Sequence, residues 1–243
     1  MDIVKEFMEK TKYQNMTEKS NQEKGIEQPA LEKPYKGQNR IDLPDPEKLD
    51  VDKIDLRVLV EQRKSLRSYA DKALTQEELS YLLWMTQGVK KEVKGKATFR
   101  TVPSAGARHA FETYLLINRV EGLEKGIYRY LALEHKLVPF QLGDDLDNKV
   151  MEACLNQRFI KESAVTFIWS AVVERMTWRY KDRGYRYLHL DAGHVCQNLY
   201  LAAETIDSGV CAIAAYSDDD MNSIIGIDGQ EEFVIYIATV GKK

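Results

Sequence analysis

Apolar positions along this chain fall into helical and extended patterns, mostly beyond residue 50. Residues 54–63 read as a helix. Thr75 followed by Glu78 is a capping box, with threonine closing the first turn and glutamate reaching back to it. The helix behind it carries Leu79, Leu82, Leu83 and Thr86 on one face and stops at Gly88. Residues 111–120 are apolar and β-rich, which predicts a strand. Residues 126–131 and 137–141 predict a hairpin turning near Glu134-His135. Residues 146–156 are helical in pattern, and 164–173, AVTFIWSAVV, read as a buried strand. A polar, aromatic stretch then leads into a long helix over about 187–206. Its apolar positions Leu188, Ala192, Val195, Leu199, Ala202 and Ile206 step by four, three, four, three and four, one continuous stripe. Gly209 is expected to end it. Residues 210–216 are short and extended, 219–225 form a short helix, and 232–240 form a strand. There is no internal repeat. Strands and helices mix without strict alternation, which predicts an α+β fold.

The first 50 residues differ in texture. They hold four of the six prolines (Pro29, Pro34, Pro44, Pro46) and three aromatics, Phe7, Tyr13 and Tyr35, among dense mixed charge. Such a segment buries too little apolar surface to fold alone. Residues 1–48 are therefore expected to be an arm: a short helix near 1–13, then extended chain that either wraps a neighbour or stays mobile. Residues 49–243 form the domain.

Composition narrows the function classes. The chain has 243 residues, 35 Lys+Arg against 38 Asp+Glu, and a net charge of −3. That balance gives no global attraction to nucleic acid. Cys154, Cys196 and Cys211 form no CxxC pair, and an odd count points to reduced thiols in a cytosol. The opening MDIVKEFMEK lacks the basic-then-apolar order of a signal peptide. The best apolar run, 164–173, is far short of the roughly 20 residues a membrane helix needs. A cytoplasmic protein with no membrane partner is expected.

Several chemistries find no motif. The four histidines are His109, His135, His189 and His194, with no HExxH and no Cys/His cluster for a metal. No GxSxG, GxGxxG or Walker sequence is present. The densest signal is Arg63-Lys64-Ser65-Leu66-Arg67, three cations and a hydroxyl at an expected helix end. Guanidinium and hydroxyl together suit one phosphate; a solvated basic helix end is the plainer alternative. In the run 100–109, the small residues at 104–107 let backbone approach a flat ligand. A third stretch, 209–216, follows the long helix with small residues whose N–H groups could face a ligand. An ordinary turn and a short core strand are the plain readings of these two.

Taken in order, the three stretches resemble the nitroreductase family of FMN-dependent oxidoreductases, and the resemblance covers about 49–243. The phrases RTVPSAGARHAFE, GIYRY and RYKDRGYRYLHLDAGHVCQNLYLAAE are similar to the branch with the azoline-oxidising, thiazole- and oxazole-forming dehydrogenases. The resemblance implies a central, mostly antiparallel sheet flanked by helices, with FMN at a homodimer interface. It implies that Arg63, Lys64, Ser65 and Arg67 hold the phosphate, ribityl chain and pyrimidine edge. It implies that Pro103, Ser104 and Ala105 approach a flavin bound mainly by the other subunit. Gln157 would place an amide on the flavin, Ala214 and Ala215 would offer N–H groups near N5 and O4, and Lys242 and Lys243 would add charge at the phosphate.

The implied activity is ping-pong hydride transfer from NAD(P)H through the flavin to a small organic acceptor. Arg67 would stabilise negative charge near flavin N1 and O2. Tyr180 and His194 are the candidate catalytic side chains; His194 also reads as a helix-packing residue. The azoline branch is expected to place Lys-Tyr where this chain has Arg179-Tyr180, and an arginine is a poor base. Azoline peptide oxidation is thus an alternative activity. A flavin-binding or scaffold protein without turnover is another.

Overall fold

The computed structural model describes residues 2–51 and 53–243. Met1, where the expected arm helix begins, and Asp52 lie outside them. Helix α1 covers Ile3–Lys10, shorter than expected: Asp2 caps it by accepting from Val4 N–H at 3.2 Å, and Thr11 closes it. Strand β1 is Ile41–Asp42. Helix α2, Leu56–Gln62, starts two residues later than expected because Asp55 caps it, accepting from Arg57 N–H at 2.8 Å. Helix α3 is Gln76–Gln87, with both halves of the Thr75–Glu78 capping box formed.

Strands β2 (Val89–Val93) and β3 (Ala97–Arg100) form a hairpin not expected from the lysine-rich sequence, with Lys94 and Gly95 at positive φ in its turn. Then come β4 (Phe111–Ile117), β5 (Gly126–Leu131), β6 (Lys136–Leu142), α4 (Leu146–Ala153), α5 (Phe159–Glu162), β7 (Val165–Val172) and α6 (Val173–Tyr180). Helix α6 occupies the stretch that reads only as polar and aromatic. It follows β7 without a gap or a side-chain cap, so nothing in the sequence marks its start. Helix α7 is Gly184–Glu204, β8 is Ser208–Ile213, α8 is Asp218–Ile224 and β9 is Glu232–Lys242.

Gly209 does not end α7, which corrects the expectation above. Thr205 caps the helix, Asp207 turns the chain at φ 50°, and Gly209 sits inside β8 opposite Gly241. A Cβ at Gly209 would meet Leu66 at 2.4 Å, so the glycine lets the 63–67 segment approach β8.

Among the described residues, seven strands form one sheet in the order β1-β6-β5-β4-β7-β9-β8, with antiparallel neighbours throughout. Alternation divides its side chains between two cores. Leu115, Phe167, Trp169 and Val240 pack with α3 and α7; Tyr114, Leu116, Ile168 and Ile237 pack with α4, α5 and α8. This is the expected α+β arrangement. The α7 stripe Leu188, Ala192, Val195, Leu199, Ala202 and Ile206 is buried in the chain's own core. The stripe therefore needs no second subunit to cover it. No helix among the described residues is long and apolar enough to cross a membrane.

The arm lies on its own chain. Ile41 pairs with Leu137 of β6, and earlier arm residues run over α6 and the start of α7.

Candidate functional site

The RKSLR segment begins where α2 stops. Arg63 is the C-cap, its N–H still bonded to Leu59 O at 3.0 Å. The chain then extends along β8: Ser65 bridges Val210 in parallel, and Leu66 N donates to Val210 O at 2.9 Å. Tyr200 of α7 fixes this edge from below, with its hydroxyl 2.9 Å from Ser65 Oγ and accepting from Ala212 N–H at 2.9 Å. Arg63 lies over the Tyr200 ring, 5.3 Å from its centroid. Behind the segment, Tyr69 donates to Leu66 O at 2.8 Å and meets Thr239 Oγ1 at 2.7 Å. Burial pushes the Tyr69 phenol well up.

Arg63, Lys64 and Arg67 are thus carried on a stiff edge. None has a carboxylate within 4.0 Å among the described residues. Ser65 and Arg67 are exposed. Three cations without counter-ions beside an exposed hydroxyl form a donor set for a phosphate group.

At the far end of β8, Ala214 and Ala215 are exposed, and Gln157 Nε2 donates to Ala215 O and Cys154 O, both at 3.0 Å. The amide is therefore tied to the segment it is expected to accompany. The Lys242 ammonium is instead committed to the Glu78 carboxylate and the Ile206 carbonyl, and Lys243 to Glu204. Neither stands as an uncommitted charge for a phosphate. The three thiols are buried, and burial pushes Cys154 and Cys196 up to about 12.

A second constellation surrounds the 103–106 turn. Ser104 Oγ accepts from His109 N–H at 2.9 Å, and Ala105 N–H donates to the Asp191 carboxylate of α7 at 3.2 Å. Burial raises the Asp191 carboxyl, while the bonds from Ser104 and Ala105 pull it back. Gly106 has φ 57°, and a Cβ there would meet the Tyr180 hydroxyl at 2.4 Å and Arg179 Nη1 at 3.2 Å. Glycine thus lets Tyr180 close on the turn. The Tyr180 ring stands edge-on to Tyr187, centroids 4.9 Å apart. His194, exposed, follows Asp191 by one turn of α7.

Asp191 and Tyr200 anchor these two constellations from positions nine residues apart, about 13–14 Å along the α7 axis. No hydrogen bond or ion pair joins the two groups among the described residues. The sequence motifs name neither anchor. The available signal was a carboxylate three residues after Leu188 and four before Val195, on the buried side of the helix, where a charge needs a partner.

A sequence model of the Nitroreductase family matches residues 60–242. The chain belongs to the Nitroreductase family. A candidate nitroreductase of Methanocaldococcus jannaschii is 36% identical over 194 residues, covering 80% of this chain and 94% of that protein. The trifolitoxin-processing protein TfxB of Rhizobium leguminosarum is 28% identical, covering 62% of this chain but only 41% of its own length. A solved candidate nitroreductase from Anabaena variabilis superposes with a TM-score of 0.67 at 32% identity, over 77% of this chain and 38% of that one. A nitroreductase-type structure from Desulfovibrio desulfuricans, in complex with FMN, shares the fold (TM-score 0.55, 13% identity, 78% of this chain and 87% of that one). Nitroreductase membership thus rests on the segment that holds both constellations.

Proposed function

We propose that the protein is an FMN-dependent oxidoreductase working as a homodimer. The observation that carries this reading is the set of cations Arg63, Lys64 and Arg67, without a carboxylate partner among the described residues, on the edge stiffened by Tyr200. Arg63, Lys64 and Ser65 would bind the phosphate and ribityl chain, and Arg67 the pyrimidine edge. The N–H groups of Ala214 and Ala215, steadied by Gln157, would orient the flavin's far edge. When bound, FMN supplies hydride transfer between NAD(P)H and a small organic acceptor.

The turn at Pro103, Ser104 and Ala105 is held by Asp191, away from the phosphate anchor, which suits a site completed by a second copy. Helix α7 offers that copy an outer face of Leu190, Gly193, His194 and Gln197, all exposed, with open space around Gly193.

Anaerobic addition of NADH or NADPH tests the activity: purified yellow protein should bleach, and an acceptor should restore the colour. Yellow protein indifferent to both donors would be a binder without this turnover. Colourless protein that ignores added FMN would overturn the flavin reading. Light scattering at micromolar concentration should give a dimer; a monomer with FMN fully bound would show that one chain builds the whole site.

A second reading is oxidation of azoline rings in a peptide, favoured by the likeness to TfxB. Arg179 stays protonated and cannot serve as its base. The isolated protein should therefore leave azoline peptides unchanged; loss of two hydrogens in mass spectrometry would reverse the ranking.

A further inference from the structure

Many of the arm's partners grip its main chain. Arg175 Nε donates to Ala30 O at 2.8 Å and Trp178 Nε1 to Ile26 O at 2.9 Å. Lys181 donates to Met16 O at 2.8 Å and also to Glu18 O. Arg183 reaches Thr11 O at 2.7 Å, and Arg186 reaches Met8 O at 2.6 Å. Arg129 of β5 donates to Lys33 O at 3.1 Å. Every donor here is a side chain of the domain, and every acceptor is a backbone carbonyl, the group any polypeptide presents at each residue. Some arm side chains also take part: Thr11 Oγ1 accepts from Arg186 Nε at 2.8 Å, the Tyr13 hydroxyl lies 2.6 Å from that of Tyr187, and Glu32 accepts from Leu133 N–H at 3.1 Å. The apolar Ile3, Val4, Met8 and Ile26 are exposed.

One arm side chain enters a defined pocket. Lys33 N–H donates to Glu112 Oε1 at 2.8 Å, and its ammonium pairs with Glu232. Glu112 and Arg175 are themselves nearly fully buried and joined at 2.6 Å. The fit is incomplete. Arg175 Nη1 is buried without a partner among the described residues, beside a small cleft lined by Gln28, Pro29, Ala30, Leu31 and Arg108. The arm therefore leaves unused a donor that another chain could satisfy. Farther along, residues 16–20 of the arm form one wall of a larger open cleft whose other wall is Arg179, Tyr180 and Lys181.

We propose that the groove along α6 and the start of α7 is a binding site for an extended polypeptide with a lysine or arginine at the anchor position, and that the arm is its resident occupant in cis. The groove recognises main chain by its row of donors and by Glu112, which takes the residue 33 N–H, and it selects one cation by Glu232. It leads past Arg179 and Tyr180 to the Gly106 turn. A peptide exchanged for the arm would be delivered to that turn. This goes beyond the flavin reading and its test needs no flavin.

The full chain is made with a protease site at the exposed 36–39 loop, folded, and then cut. A fluorescent peptide with the sequence of residues 8–35 is added, and anisotropy reports binding. The uncut protein should ignore the peptide, and the cut protein should take it up. A peptide with Lys33→Glu should bind at least tenfold more weakly. A peptide with Met8 and Ile26 changed to alanine should bind within about threefold. Lys181→Met in the cut protein should weaken uptake severalfold at an unchanged melting temperature. The proposal is overturned if the cut arm neither leaves nor exchanges, if cutting melts the domain, or if the alanine peptide fails to bind. The first two outcomes make the arm a fixed part of the fold, and the third makes it a side-chain latch.

Discussion

The Tyr200 hydroxyl lies 2.9 Å from that of Ser65 and takes the Ala212 N–H as well, so a single phenol joins the cationic segment to β8. Tyr200→Phe removes both bonds while keeping the ring beneath Arg63. Unfolding in urea should show a loss of roughly 1–3 kcal/mol, the net worth of two such bonds. FMN affinity should fall severalfold by fluorescence titration. Unchanged affinity would mean that the segment holds its shape without Tyr200.

Arg63→Ala should leave the fold intact, because the side chain is only half-buried and has no carboxylate partner among the described residues. FMN affinity should drop at least tenfold, since one charge-assisted bond contributes roughly 1.5–3 kcal/mol and 1.4 kcal/mol is about a factor of ten. Arg57→Ala on the same helix, whose charge is paired with Glu61, serves as the control and should change nothing. Added salt should weaken the wild type more than the Arg63 variant.

Glu112 and Arg175 make a buried ion pair at 2.6 Å. Arg175→Met leaves the buried carboxylate with the Lys33 N–H but no counter-charge and should cost about 3–5 kcal/mol. Adding Glu112→Met should recover much of that loss. A double variant no better than the single one would show that the pair is not the source of the effect.

His109 sets an acid limit. Burial, with Arg100 nearby, lowers its folded-state pKa to about 3. The unfolded chain takes up this proton near pH 6.5. Between those values the unfolded state binds a proton that the native state lacks, so stability falls as pH falls. The slope from this group approaches about 1.4 kcal/mol per pH unit. His109→Gln should flatten the urea midpoint between pH 6.5 and 5, above the range where carboxylates titrate. Parallel curves for variant and wild type would show that His109 titrates in the folded protein.

Elements with a local signal were legible in the sequence. The Thr75–Glu78 box and the stripe from Leu188 to Ile206 are written in residue types a turn or so apart, and both form as expected. Helix α6 was hidden because β7 runs into it without a polar break. Gly209 was misread because a glycine after a helix looks like a cap, whereas here it makes room for Leu66, far away in the chain. The RKSLR cluster was visible as charge. Its support by Tyr200 was not, because that contact spans 135 residues. The arm's path was the least legible, since many of its bonds are accepted by backbone carbonyls, which leave no mark in residue identity.

The place of β9 has a consequence for synthesis on the ribosome. This strand lies between β7 and β8 yet is made after both. Until residues 232–242 emerge, β8 has no neighbouring strand, and the 63–67 segment that leans on Val210 has no platform. Earlier strands can pair as they appear, β4 with β5, β5 with β6, and β4 with β7. A nascent chain can therefore assemble most of the sheet while still lacking its cationic edge, and such long-range pairing is slow to form.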